Sequence, residues 1–222
     1  MTNKRVLIRL GLISFTIWNT FCGVGINCDA AIVFPVAPEE GRQIAYQKVR
    51  VVLQAFPNAY KGLKIEELTM ADAHKMYSVG TQNIISGNLL SAANYSGWRY
   101  LFFHGTNAVC EVPLSIDPKD GKLSKRGGVF GNELIQATLE ALPKAEGLPQ
   151  VEKQDYEFRF LICYAIKFDA IWLHGKSDDI IIPVPPTYDR VNAYQPYSEG
   201  EIIKLLKPEA ENTLKQPRQL PD

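Results

Sequence analysis

The pattern of hydrophobic and polar positions along the chain is most strand-like between Tyr156 and Pro186. This is the longest apolar run outside the N-terminus and is rich in aromatic and β-branched residues, which suit buried or half-buried strands. Phe158, Phe160, Ile162, Tyr164, Ile166 and Phe168 alternate onto one face, and Leu161, Cys163 and Ala165 fall on the other, with Arg159 and Lys167 near the ends. A strand apolar on both faces at its middle belongs near the centre of a sheet. Gly175 to Asp179 then reads as a turn, Ile180 to Ile182 as a returning strand, and Pro183, Pro185 and Pro186 as its stop. A second hairpin is predicted from Trp98 to Phe103 and Ala108 to Leu114, joined by the tight turn His104-Gly105-Thr106-Asn107. The two hairpins echo each other, WRYLFFHG against FDAIWLHG, and each aromatic strand ends in His-Gly.

Helical spacing appears elsewhere. Glu39 and Glu40 open a stripe of Ala45, Val49, Val52 and Phe56, which Pro57 ends. Thr69 with Asp72 resembles a capping box for a helix carrying Ala73, Met76 and Tyr77. Asn132 can cap a helix with Ile135, Leu139 and Leu142 on one side, stopped by Pro143. Ser198 with Glu201 precedes Ile202, Ile203, Leu205 and Leu206. Gly87 to Gly97 reads as a loop, and Pro183 to Pro196 as a proline- and tyrosine-rich strap over the sheet. The expectation is an α+β domain spanning 31–207. Its core is a mainly antiparallel sheet of about four to five strands built from two hairpins, with helices packed on one face. Residues 208–222 are expected to be a polar, disordered tail.

The N-terminus changes the picture. Lys4, Arg5 and Arg9 precede an uncharged run from Leu10 to Ile26, and Cys28-Asp29-Ala30 offers small residues at the cleavage positions. This is the layout of a secretory signal, cleaved after Ala30. The alternative is an uncleaved anchor, for which the run is short and carries Asn19. The full chain has 24 basic and 24 acidic residues. Removing three bases and one acid leaves 21 − 23, a formal charge of −2. No basic stripe of the kind nucleic acid requires is present. Cleavage also leaves only Cys110 and Cys163, which an oxidising compartment could join as a disulfide.

Candidate chemistry is sparse. His104 and His174 stand at the two hairpin tips. With Asp178 or Asp179 they would make a two-histidine, one-carboxylate set suited to a transition metal, although the spacing matches no metal motif. Trp172 shares the His174 side of its strand, so His104, His174, Asp178 and Trp172 form the candidate binding group. His74 is expected at the edge of a helical stripe, in a structural role. Cys110 with a histidine has no local signature of a nucleophile, and no G-x-S-x-G elbow exists. Lys125 to Gly131, leading into the Asn132 helix, could cradle an anion, but no Walker motif follows. Asp117 to Gly121 lacks the ligand pattern of a calcium loop.

The sequence therefore points to an exported, periplasmic or secreted, non-catalytic interaction or accessory domain whose partner is a protein or a small ligand. The alternative is an exported hydrolase or metal-dependent enzyme using the histidine-bearing tips. No cofactor motif is found, and membrane attachment would come only through an uncleaved signal. Sequencing the N-terminus of exported protein should give Ala31 as the first residue; a final product that retains Met1 to Ala30 would refute the cleavage site.

Overall fold

A computed structural model describes residues 31–124 and 128–215; the expected signal segment 1–30, Lys125 to Gly127 and residues 216–222 lie outside them. The strands are β1 (Ile32–Val33), β2 (Thr69–Met70), β3 (His74–Ser78), β4 (Asn94–His104), β5 (Asn107–Ser115), β6 (Tyr156–Cys163), β7 (Phe168–His174) and β8 (Asp179–Val184). The helices are α1 (Glu39–Ala55), α2 (Thr81–Ile85), α3 (Glu133–Glu146) and α4 (Glu199–Lys215). The fold is α+β, as the alternating patterns suggested. All eight strands belong to one sheet in the order β2-β4-β3-β6-β7-β8, with β5 along β4 and β1 along β6. The sheet is larger than the expected four or five strands and is mixed, because β1 and β3 both run parallel to β6.

Two local readings are overturned. The apolar run from Tyr156 is not one strand. It reverses at a 3-10 turn, Tyr164–Ile166, followed by Lys167 in the left-handed region (φ 47°). Tyr164 is consequently 68% exposed despite its place in the alternating pattern. A strand extending from Tyr156 to His174 would have exceeded the usual 3–10 residues, so the run folds into the meander β6-β7-β8. The helix expected from Thr69 is instead β2 and β3. β3 pairs with β4 on one side and β6 on the other, and its side chains alternate. Pairing on both edges outweighs the local capping signal.

Helices cover both faces, not one. Trp98, Lys75, Arg159 and Trp172 are paired across four strands and so share a face. On that face α1 packs over Tyr100, Phe102 and Val112, while α2 and α4 pack over Leu161, Ala170, Trp172 and Ile181. α3 packs on the opposite face, over Phe158, Phe160, Ile171 and Leu173. Gly41 of α1 sits so close to Tyr100 that a Cβ there would lie 2.0 Å from its hydroxyl oxygen. α1 therefore turns a slightly different side inward than expected, burying Ile44, Val49 and Leu53 and leaving Phe56 exposed.

Prolines interrupt less than expected. α3 continues through Pro143, and α4 through Pro208 to Lys215, so residues 208–215 are helical. Each proline removes one helical N–H, but Ala145 and Ala210 beyond them are fully buried and hold the helices down. The strap after β8 covers that edge strand: Tyr197 and Ile181 exchange main-chain hydrogen bonds of 2.9 Å, and the Tyr194 N–H donates to the Pro183 carbonyl.

Cys110 and Cys163 are buried free thiols; no disulfide joins them. β4 and β3 stand between their strands, which sets those strands about 14 Å apart at ordinary spacing, and the two residues are also offset along them. A disulfide needs Cα atoms within roughly 7 Å.

One topological feature matters most for function. β5 and β2 both pair with Phe102 and Phe103 of β4, so they lie on its two opposite sides. By the same logic β1 and β7, which both pair with Glu157, lie on opposite sides of β6. β2 and β1 therefore share the lane between β4 and β6 that β3 occupies further along. The sheet forks where β3 begins, at His74.

Phe160 lies at the centre of the sheet, 1% exposed and under α3. Phe160→Ala should cost about 3–5 kcal/mol through lost burial and an unfilled cavity, read from denaturant melts; a variant as stable as the parent would mean the ring is not a core element.

Candidate functional site

The face of the sheet beneath α3 carries a buried polar layer at the apex of the fork. Arg99, on β4, is 1% exposed and Glu111, on the adjacent β5, is 6% exposed. Glu111 Oε2 accepts a 2.7 Å hydrogen bond from Arg99 Nε and a second, very short one from Nη2. Arg99 Nη1 donates to Thr138 Oγ1 of α3 at 3.0 Å, and Thr138 in turn donates to the Leu134 carbonyl at 2.7 Å. The guanidinium lies 4.3 Å from the centre of the Phe160 ring. Burial lowers the Arg99 pKa from its ordinary value, and the Glu111 carboxylate pushes back. Asp169 on β7 is raised by burial, with Arg99 opposing.

His74, the first residue of β3, completes this layer. Its Nε2 is 3.4 Å from Arg99 Nη1, and its ring packs edge-on against Phe158. Burial holds the ring well below the usual histidine range, and the Arg99 charge acts in the same direction. The Asp72 main chain partly opposes this, but Nδ1 has no hydrogen-bond partner of ordinary geometry. A buried polar atom without a partner is rare in folded proteins.

Beside this histidine the fork opens into a cavity of about 480 Å³. Leu101 and Phe103 of β4, Phe158 of β6, Phe34 and Ile32 after the expected signal, and Leu139 and Leu142 of α3 supply apolar walls. His74 and Thr138 lie at its buried end, while Asp72 and Glu146, both exposed, lie at its mouth. Phe34 stacks on Phe158 at 5.0 Å. The volume and the apolar lining with a few polar groups are those of small-molecule sites. A smaller recess of about 200 Å³ between α1 and residues 62–66 has no buried polar group converging on it.

The residues singled out in the sequence fall elsewhere. β4 and β7 run in the same direction, so both hairpin tips do point to one end of the sheet. They are three strand spacings apart. Trp98 and Trp172 stand at one level, and His104 is six residues past the first while His174 is two past the second. That stagger and spacing together separate the tips by roughly 20 Å, and the structure does not bring His104 and His174 together. His174 pairs with Asp179, not Asp178: Nδ1 is 2.7 Å from Asp179 Oδ1, because these two residues face each other across β7 and β8. Trp172 Nε1 donates to the same oxygen at 2.7 Å. Asp178 turns instead to Tyr156, whose hydroxyl donates to it at 2.6 Å, and to Gln154.

Arg159 lies over both Trp172 and Tyr77 and donates to Glu157. This Trp172–His174–Asp179 group is satisfied internally. Among the described residues no group of three or more His, Cys, Asp or Glu side chains could hold a metal ion. Burial pushes the Cys110 thiol up to about 12 and raises Cys163 as well, which leaves neither as a thiolate nucleophile. Part of the anion loop considered at Lys125 to Gly131 lies outside the described residues.

No protein-family model, no curated protein and no solved structure matches the chain significantly. The site is therefore defined by its own geometry. Sequence reasoning placed His74 in a helix and missed it as a cavity residue. The signal that could have found it is the alternation of His74 and Met76 against Lys75 and Tyr77, which is strand-like.

Because His74 is neutral when folded, the unfolded chain binds one more proton as pH falls below about 6.5. Stability should therefore decline as pH drops from about 6.5 toward the depressed folded value, with a slope from this group of at most about 1.4 kcal/mol per pH unit. Asp169 acts in the opposite sense but is present in both proteins when wild type is compared with His74→Phe. The variant should lose this part of the acid lability in denaturant melts between pH 7 and 5; a wild-type-minus-variant difference that is flat with pH would show that His74 titrates normally.

Proposed function

We propose that this chain is an exported, non-catalytic binding domain that takes a small, largely apolar molecule into the cavity at the fork of the sheet. The observation that carries this reading is the recess of about 480 Å³ at the fork, walled by Leu101, Phe103, Phe158, Leu139 and Leu142, with the buried His74 and Thr138 at its inner end. A concave recess of this size with mostly apolar walls and a few polar groups is the ordinary form of a small-molecule site. Export fits the same geometry. Cleavage after Ala30 would leave β1, one wall of the cavity, intact. It would also place a new α-ammonium where the Ala31 nitrogen already donates to Asp155 Oδ1 at 2.9 Å.

The uncharged dye N-phenyl-1-naphthylamine tests the reading. It should bind the mature protein with enhanced, blue-shifted fluorescence. Leu139→Trp, which fills the cavity from α3, should weaken that binding at least tenfold while the protein melts within a few degrees of wild type. Absence of dye binding to wild type, or equal binding by the filled variant, would remove the cavity as the functional site.

A further inference from the structure

We infer that the recess at the fork takes an organic ammonium, an elongated apolar molecule whose tail enters toward His74 and whose positive end stays at the mouth beside Asp72 and Glu146. This names the ligand class of the binding reading above and rests on it. Three observations select that class. The first is the charge of the lining. Asp72 and Glu146 are its charged side chains, and no lysine or arginine belongs to it. Both are exposed, and among the described residues neither carboxylate has an ion-pair partner. A cation arriving at the mouth therefore meets two uncompensated carboxylates.

The second observation is the inner end, which has no place for a charge. The His74 ring there is neutral and directed at the Asp72 main chain. The Thr138 hydroxyl accepts from Arg99 and donates its single proton to Leu134. Glu111 already holds the Arg99 guanidinium. A charged group pushed to that end would lose its water and gain no partner. An apolar tail loses nothing there and buries itself against Leu101, Phe103, Phe158 and Leu139. The orientation follows, tail inward and charge outward.

The third observation is the aromatic share of the walls. Phe34, Phe103 and Phe158 line the recess, and Phe34, stacked on Phe158, is itself partly exposed. The face of a phenyl ring is negative, so it attracts a cation, and rings of this kind are a common means of recognising alkylammonium groups. A fatty acid would suit the same apolar walls, but it would bring its own carboxylate against Asp72 and Glu146. An alcohol of the same length gains nothing from them.

Nonylamine, 1-nonanol and nonanoate are matched in length and differ in the charge of one end. At neutral pH and low salt, nonylamine should displace N-phenyl-1-naphthylamine at about a tenth of the concentration that nonanoate needs, since exposed ion pairs are each worth a few-fold. Nonanol should fall between them. Salt at about 0.5 M should narrow the gap, because exposed charges are screened. The double variant Asp72→Asn, Glu146→Gln should make amine and alcohol equal. If all three competitors displace the dye equally from wild type, if the gap is indifferent to salt, or if the double variant keeps the preference for the amine, this inference fails while the recess remains a binding site. If neither dye nor competitor binds, both fall. Should the double variant not fold, Glu146→Gln alone, which should reduce the preference, and the salt dependence of wild type decide the matter.

Discussion

A single buried arginine organises this protein. Arg99 sits within the sheet on the side that α3 covers, and a guanidinium removed from water is tolerable only if its charge and donors are met. Glu111 meets the charge from the neighbouring strand, Thr138 takes a donor from the helix above, and Phe160 lies beneath the cation. These partners come from β5, α3 and β6. Losing one partner of such a pair commonly costs 3–5 kcal/mol, because the other charge is stranded. The pair thus fixes how α3 is seated on the sheet, and the seating of α3 forms one wall of the cavity.

His74 couples this layer to the fork. It is where β3 enters the lane between β4 and β6, and where the layer of fixed polar groups ends. On one side burial, reinforced by the Arg99 charge, disfavours its protonation. On the other, β1 and β2 hug separate strands and leave space between them. The cavity follows from the topology: two short strands line the lane where one long strand would have closed it. Apolar side chains from β4, β6 and α3 then give that space its lining.

The outer parts of the molecule keep this arrangement in place by conventional means. The β8 edge, which includes Pro183, is covered by the strap through Tyr194 and Tyr197. Tyr194 also donates to Glu140 and lies under Lys144, both on α3. The strap therefore ties the far edge of the sheet to the helix above the site. Asp178, Gln154 and Tyr156 lock the β7–β8 turn onto the start of β6, next to β1. The polar residues at this turn bond one another and brace the framework.

Local interactions made much of the fold legible. The β4–β5 hairpin follows from strand-forming residues around a tight turn, where Gly105 takes a positive φ of 58°. α1, α3 and α4 follow from apolar stripes that need only one helix to be read. The turn at Tyr164 to Lys167 was not legible, because it contains none of the residues that usually force a turn; strand length alone argued for it. The candidate site was largely hidden for a different reason. Arg99 reads as a polar position in an alternating strand, and only the presence of a helix on that face turns it into a buried charge. His74 reads as a helical residue until β4 and β6 pair with it on both edges. His174 could be given an acidic partner from its neighbourhood, but cross-strand pairing chose Asp179 over Asp178. Helical stripes, turns and strand tendency act over a few residues, and the sequence alone determined them. Which face is covered, which charges meet and where a sheet opens depend on contacts between distant segments, such as Arg99 with Thr138, 39 residues away. Only the tertiary structure decided these, because desolvation and pairing act on whatever the assembled fold brings together.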